Sequence, residues 1–244
     1  MPIAIGAFLN AAGILFGGLF GLTWRNPISP RVQLFFRNTL GLATIFCGLF
    51  LIYQNISGTF LACAKQIFLA LLAMILGNLI GKLLGLQKIS NRLGRIAGNS
   101  IAEAQKHSAQ NVITGLNACT ILFCAAPLGI LGAIVDGLSN YFYLLAIKAV
   151  MDGLATTSFV KMFRWPAALS AIPVFAFLNA IALACQIYAR PFLDAHHLTG
   201  SVSTTAGFVA LAISVVIFEV RKVQLANYLP ALAIAPLLTW LLHH

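Results

Sequence analysis

Long apolar segments separated by short polar connections occupy most of the chain. An α-helix needs about 20 apolar residues to cross the hydrocarbon core of a bilayer, and several segments have roughly that length. Barrel strands would instead alternate apolar and polar residues, a pattern that is absent. The sequence therefore predicts an all-α, polytopic transmembrane bundle of about eight spans, forming one transmembrane domain over residues 1–244. The predicted spans are residues 3–23, 38–53, 60–84, 112–135, 141–163, 166–188, 202–220 and 225–242.

The longest connection, residues 85–111, has the pattern of an amphipathic helix. Its apolar and basic residues fall on opposite sides at helical spacing, with Leu86, Ile89, Leu93 and Ile96 facing away from Lys88, Arg92 and Arg95. Helices of this kind lie in the membrane interface with their basic side on the headgroups. We predict such a helix on the cytoplasmic side; the alternative interpretation is a gate or regulatory arm.

The composition agrees with a lipid environment. Apolar residues make up 60% of the chain and charged residues 8%, too few to cover a soluble globule. The net charge of +10 does not indicate nucleic-acid binding, because the basic residues flank apolar segments and form no single face. The five cysteines lie within apolar segments, without metal-ligand spacing, and are interpreted as packing residues.

The basic residues predict an orientation, because cytoplasmic connections carry the Lys and Arg excess. With eight spans, Lys65 and Arg190 fall on one side of the membrane and Lys148 lies within a span. The other side receives Arg25, Arg31, Arg37, Lys82, Lys88, Arg92, Arg95, Lys106, Lys161, Arg164, Arg221 and Lys222. Both termini are therefore predicted to lie outside the cytoplasm.

A short motif occurs twice. Residues 10–16 (NAAGILF) recur as residues 117–123 (NACTILF), in predicted spans of opposite direction. A weaker similarity links the segments that begin at Gly41 and Gly207. Spans one to three would then correspond to spans four, seven and eight, an inverted repeat of the kind found in transporters. Chance similarity between apolar segments is the alternative.

Charged residues inside the predicted spans are the main candidates for a transport or ion path. A charged side chain at the bilayer centre costs about 2.5–3.5 kcal/mol on insertion scales, so such residues usually face the protein interior or a cavity. Lys148 and Asp152 are four residues apart and share one helix face. They either exchange partners with a substrate ion or lock two helices together. Asp136, near the end of span four, either caps a turn or attracts cations.

Other polar residues and prolines extend this candidate path. Asn10, Asn117 and Asn227 either line it or bond between helices. Pro127 and Pro230 are predicted helix breaks that free backbone carbonyls, with ordinary kinks as the alternative. Nucleotide-binding, metalloprotease and nucleophile motifs are absent from the sequence, so we predict no catalytic residues, no metal site and no cofactor.

Three stretches resemble one known family. They are residues 123–137 (FCAAPLGILGAIVDG) with 146–153 (AIKAVMDG), residues 226–236 (ANYLPALAIAP), and the glycine-rich start from Gly6 to Gly21. Together they resemble the domain-of-unknown-function 554 family of bacterial inner-membrane proteins. The resemblance implies an acidic residue at Asp136 and the lysine and aspartate at Lys148 and Asp152. Ala126 stands where the family has glycine, and Ser201 where it often has an acidic residue.

We therefore expect a multi-pass protein of the bacterial inner membrane that acts as a secondary transporter or permease for a small solute or ion. The alternatives are a channel-like pore and a non-transporting scaffold or sensor. The expected partners are the lipid bilayer and an unidentified solute, with no nucleic acid. The oligomeric state stays open, a homo-oligomer included.

Overall fold

The structure is a computed structural model that describes residues 4–24, 28–106 and 112–242. These residues form helices and no strand. The α-helices are α1 (Ile5–Thr23), α2 (Pro30–Asn55), α3 (Phe60–Leu83), α4 (Leu86–Lys106), α5 (Val112–Cys124), α6 (Pro127–Ser139), α7 (Tyr143–Phe163), α8 (Trp165–Leu169), α9 (Ala171–Ala184), α10 (Arg190–Ala195), α11 (Thr199–Ile217) and α12 (Ala231–Leu241). A π-helical turn, Cys185–Ala189, follows α9, and a 3₁₀ turn, Leu225–Tyr228, precedes α12.

Local sequence signals explain several helix ends. The Ser29 side chain accepts a hydrogen bond from the Val32 N–H, and Pro30 occupies the first helical position of α2. The Thr59 side chain caps α3 in the same way. Asn140 ends α6 in the left-handed conformation, with φ of 56°, which asparagine adopts more readily than most residues. These ends set the lengths of the helices that carry the candidate site.

The helices form two bundles. The first bundle contains α1 and α5–α9, and the second contains α2, α3, α11 and α12. In the first bundle α1 packs chiefly on α7; in the second, α2 packs on α11 and α3 packs on α12. Apolar side chains of α6 and α7, including Leu131 and Leu144, join the core around α2 and α11. The two bundles therefore meet along α6 and α7.

Glycines show how the paired helices run. Gly13 lies against Ala149 and Gly21 against Val160, so α1 and α7 are parallel. In the second bundle, the residue numbers of the contacting pairs rise along one helix and fall along the other. Helices α2 and α11 are therefore antiparallel, as are α3 and α12. The contacting pairs are Gly41 with Phe218, Gly48 with Gly207, Gly77 with Ala231, and Gly81 with Asn227.

Helices α5 and α6 form one broken span. They are bent by 62° across Ala125 and Ala126. Gly115 near the start of α5 packs on Phe163 at the end of α7, whereas Gly137 near the end of α6 packs on Ala182. The two helices therefore run from one end of the first bundle to the other, as a span does, and do not return to the side on which they start.

The exposed surface is strongly apolar. Phe46 is 68% exposed and Ile75 66%, while several charged and polar side chains are buried. Within the described ranges, six helical stretches are long and apolar enough to cross a membrane, or seven if the bent pair is one span; one of the six, Trp165–Ala195, comprises α8, α9, the π-helical turn and α10. A soluble protein buries its apolar side chains, whereas here lipid is the solvent of the outer surface. The prediction of a polytopic helical membrane protein is confirmed.

The finer topological predictions fare differently. The predicted eighth span begins with the 3₁₀ turn and continues as α12, an 11-residue helix of about 16 Å that is too short to cross a bilayer alone. The count of eight, the inverted repeat and the orientation stay predictions. A helix, α4, does occupy the predicted amphipathic segment. Residue 3, Arg25 and residues 107–111, named in these predictions, lie outside the described residues.

Candidate functional site

Lys148 and Asp152 form a buried ion pair in the middle of α7. Lys148 Nζ contacts Asp152 Oδ2, and the two residues are 1% and 7% exposed. Asn10 of α1 donates a hydrogen bond from Nδ2 to the same carboxylate oxygen, at 2.9 Å. Asn10 is itself fully buried, and its Oδ1 has no hydrogen-bond partner among the described residues. The carboxylate thus links α1 to α7 and carries two donors on one oxygen.

The Lys148 side chain is held by the first bundle. A Cβ on Gly129 of α6 would lie 2.5 Å from Lys148 Cε, so the glycine makes room for the lysine stem. The ammonium lies 5.7 Å from the centre of the Phe123 ring, within the range of a cation–π contact. Lys148 therefore bridges α5, α6 and α7 around the break in the fourth span.

The break itself follows from Pro127. Proline has no N–H, so the carbonyl of Phe123 loses the hydrogen bond that a continuous helix would supply. Ala126 is extended, with ψ of 121°, and α6 begins at Pro127. The structure therefore places a helix break directly beside Lys148.

Asp136 lies apart from this pair, at the other end of α6. Its Oδ2 accepts a hydrogen bond of 2.9 Å from the Gly6 N–H, while Asn179 Oδ1 accepts one from the Ala4 N–H. Both side chains satisfy free donors at the start of α1, where a carboxylate is also stabilised by the helix dipole. Of the two interpretations of Asp136, capping is the one that the contacts support.

The remaining predicted residues are dispersed. Asn117 is exposed on α5, so it does not share the buried environment of Asn10. Asn227 is buried in the 3₁₀ turn, where its Oδ1 accepts a hydrogen bond from the Gln87 N–H and fixes the start of α4. Pro230 separates that turn from α12. The structure brings together Asn10, Lys148 and Asp152, and not Asp136, Asn117 or Asn227.

A cavity of about 510 Å³ lies between the two bundles, and we call it the inter-bundle cavity. It reaches the helix break at Ala126 and Pro127. Met151 and Ala155 of α7 line it, whereas the adjacent Asp152 points toward Asn10 and is not among the lining residues. The buried ion pair therefore does not line the cavity, although residues on the same helix do.

An ion pair between Arg37 of α2 and Glu219, just after α11, lies at the inter-bundle cavity. Both residues line it, and their side chains are 35% and 70% exposed. From the sequence, Arg37 contributes only to the predicted orientation of the chain, and Glu219 is not a predicted site residue. Glu219 is one of five acidic residues in the whole chain, and that scarcity is the signal that could have identified it.

A second cavity of about 430 Å³ lies at the other end of the α2–α11 pair, and we call it the polar cavity. Half of the residues that line it carry amides or hydroxyls, including Asn55, Gln66 and Thr204. Lys65 and His197 also line it, and no carboxylate is among its lining residues within the described ranges. The α2–α11 pair therefore has one cavity at each end.

Membrane-length apolar helices around a buried ion pair and a broken span define a multi-pass integral membrane protein. A family model described as a protein of unknown function (DUF554) matches residues 5–240. The chain belongs to that family, which confirms the resemblance found in the sequence.

Two curated relatives match over nearly the full length. The chain is 23% identical to the uncharacterized membrane protein YdfK of Bacillus subtilis (strain 168), over 98% of this chain and 96% of that protein. It is 26% identical to the uncharacterized protein YqgA of Escherichia coli (strain K12), over 96% of this chain and 95% of that protein. No solved structure matches the chain. The relatives therefore support a membrane protein and leave its activity to be argued from the site.

Proposed function

We propose that this protein is a secondary transporter or permease that moves a small solute or ion across the bacterial inner membrane. The observation that carries the proposal is the inter-bundle cavity of about 510 Å³, which ends on the helix break at Ala126 and Pro127. Transporters commonly bind cargo between two helical units, beside discontinuous helices whose free backbone groups face the cargo. In the proposed role the cargo undergoes no chemical conversion. In the proposed orientation both termini lie outside the cytoplasm.

The buried ion pair is the proposed charged element of the cycle. Met151 and Ala155 line the cavity, whereas Asp152, which lies between them in sequence, points toward Asn10. A rotation of α7 relative to α1 would separate Asp152 from Asn10 and turn it toward the cavity. Asp152 and Lys148 would then separate, and one of them would pair with a cargo ion or exchange a proton. Charged residues within membrane spans are costly and usually functional. A pair that changes partners during the cycle would explain why two such residues are buried here.

Transport assays in liposomes test the proposal. Purified protein is reconstituted, and uptake of labelled carboxylates, amino acids, sugars and monovalent cations is measured with and without pH and sodium gradients. We expect saturable uptake of at least one solute, reduced at least tenfold by Asp152→Asn and partly retained by Asp152→Glu. The matched control is Asp194→Asn, because Asp194 also forms an i,i+4 pair, with Arg190, but on the surface.

The other outcomes decide against the proposal. Unsaturable, voltage-driven currents would indicate a channel-like pore. If protein that is monodisperse in detergent transports no solute of the panel, the remaining interpretation is a non-transporting scaffold or sensor. Wild-type flux in Asp152→Asn would remove the ion pair from the mechanism while leaving transport itself intact.

A further inference from the structure

The inter-bundle cavity has an apolar body and one charged end. Phe36, Leu40, Leu154 and Ile213 are among the apolar side chains that line it. Its charged residues are Arg37 and Glu219. Sites for small molecules usually occupy about 300–1,000 Å³ and combine apolar walls with a few polar groups that fix the orientation of the ligand. The cavity therefore suits a molecule with an apolar body and a single polar head.

Arg37 has an unused donor at this charged end. One of its terminal nitrogens, Nη1, pairs with Glu219, while Nε is buried and has no acceptor among the described residues. A buried donor without a partner is unfavourable, and a guanidinium can bind a carboxylate through two parallel N–H groups. Arg37 therefore has the donors of a bidentate anion site and uses only part of them for Glu219.

Glu219 is the partner that can be released. Its side chain is 70% exposed, so water solvates the carboxylate if Arg37 turns to another anion. Ion pairs at the protein surface contribute little to stability. Glu219 would then act as a competitor that pairs with Arg37 whenever no other anion is bound.

The polar cavity favours the same sign of charge. Lys65 and His197 line it, and its described lining residues include no carboxylate. Thr204, which also lines it, is only 1% exposed. Neither an ion pair nor a hydrogen bond is formed by the Lys65 or Thr204 side chain within the described part of the chain. Both ends of the α2–α11 pair therefore present a cation to an incoming ligand.

We infer that the cargo of this protein is a small organic anion, a monocarboxylate with an apolar body, bound in the inter-bundle cavity with its carboxylate on Arg37. The inference rests on the proposed function, since it names the substrate class of the same transporter. The carboxylate accepts hydrogen bonds from the Arg37 guanidinium once that side chain turns from Glu219, and the apolar body lies against Phe36, Leu154 and Ile213.

Binding to the detergent-purified full-length protein tests the inference separately from transport. The probes are a series of monocarboxylates from acetate to octanoate, with hexylamine and hexanol as matched controls for hexanoate, measured by isothermal titration calorimetry. We expect hexanoate to bind at least tenfold more tightly than hexylamine or hexanol. Arg37→Gln should lower the hexanoate affinity at least tenfold, and Arg37→Lys should lower it less.

Glu219→Gln gives the discriminating result. Removing the competitor should raise the hexanoate affinity severalfold, an effect that a purely structural role of the ion pair would not produce. Arg190→Gln is the control, because Arg190 is an ion-paired arginine that lines neither cavity. Thermal unfolding midpoints of all variants establish that they are folded.

Three outcomes would overturn the inference: no binding of any monocarboxylate in the series, tighter binding of hexylamine than of hexanoate, or equal binding of hexanol and hexanoate. Equal binding of hexanol would indicate that the cavity is a site for apolar chains from lipid. Saturable flux of another solute class without carboxylate binding would exclude a monocarboxylate cargo, and the proposal that the protein is a transporter would stand. Carboxylate binding without flux of any solute would instead reject transport and leave an anion site.

Discussion

Gly17 of α1 packs directly against the backbone of Gly153 in α7, and the position of a Cβ on Gly17 is occupied by the Gly153 carbonyl. Gly13 makes the same kind of contact with Ala149 one turn earlier. Small residues four apart let helices approach closely in membranes. The close approach of α1 and α7 is what places Asn10 within hydrogen-bond distance of Asp152.

Gly17→Ala should therefore destabilise the first bundle. The added methyl group meets backbone that cannot move aside, and overpacking of this kind typically costs about 1–3 kcal/mol. We expect a lower thermal unfolding midpoint in detergent. Gly98→Ala is the matched control, because Gly98 lies in α4 with no atom near its Cβ position, and alanine favours a helix over glycine. Equal stability of Gly17→Ala and the wild type would contradict the contact.

The buried pair should respond differently to single and double substitutions. Lys148→Met leaves the Asp152 carboxylate buried without its counter-ion, and breaking such a pair typically costs about 3–5 kcal/mol. The double variant Lys148→Met/Asp152→Asn removes both charges, and the amide oxygen introduced by the second substitution can still accept the hydrogen bond from Asn10. We expect its unfolding midpoint to recover most of the loss.

Transport separates the two interpretations of this pair. If the charges act in the cycle, the double variant is stable but inactive in the liposome assay. A stable double variant with full flux would mean that the pair only holds α7 in place.

The two asparagines of the repeated motif should not be equivalent. Asn10→Ala removes a buried donor to Asp152, and the loss of a hydrogen bond to a charged group typically costs about 1.5–3 kcal/mol. Asn117→Ala alters an exposed side chain and should change stability by less than about 0.5 kcal/mol. Unfolding midpoints in detergent measure both, and similar losses would indicate that Asn117 has a buried role.

Tyr141 links the two bundles. Its hydroxyl donates a hydrogen bond of 2.9 Å to the Cys47 carbonyl of α2. Tyr141→Phe should cost about 1 kcal/mol, because the carbonyl is left without this donor. Tyr53→Phe, at a residue 79% exposed, is the control in the same unfolding assay. A midpoint unchanged in Tyr141→Phe would contradict the hydrogen bond.

Much of the fold could be predicted because apolar length alone identifies a membrane helix. The first and third helices begin and end within a few residues of their predicted limits. The eighth predicted span stays a prediction; its apolar run contains Pro230 and begins with a 3₁₀ turn, which apolarity does not report. Only the structure shows that α5 and α6 are bent by 62°, although Pro127 predicted a break.

The site was partly predictable for the same kind of reason. Spacing by four placed Lys148 and Asp152 on one face, and the cost of burying charge marked them as unusual. Spacing cannot report which helix lies opposite, so Asp136 was grouped with them although it caps α1. The pairing of Arg37 with Glu219 joins residues far apart in the chain, and no periodicity connects them.

The inter-bundle cavity and the polar cavity are separated along the α2–α11 pair. Thr205 lines one and Ile213 lines the other, and at about 1.5 Å per residue they are about 12 Å apart along α11. Within that interval Gly207 packs against the backbone of Gly48. The two cavities therefore lie on either side of a close backbone contact between α2 and α11.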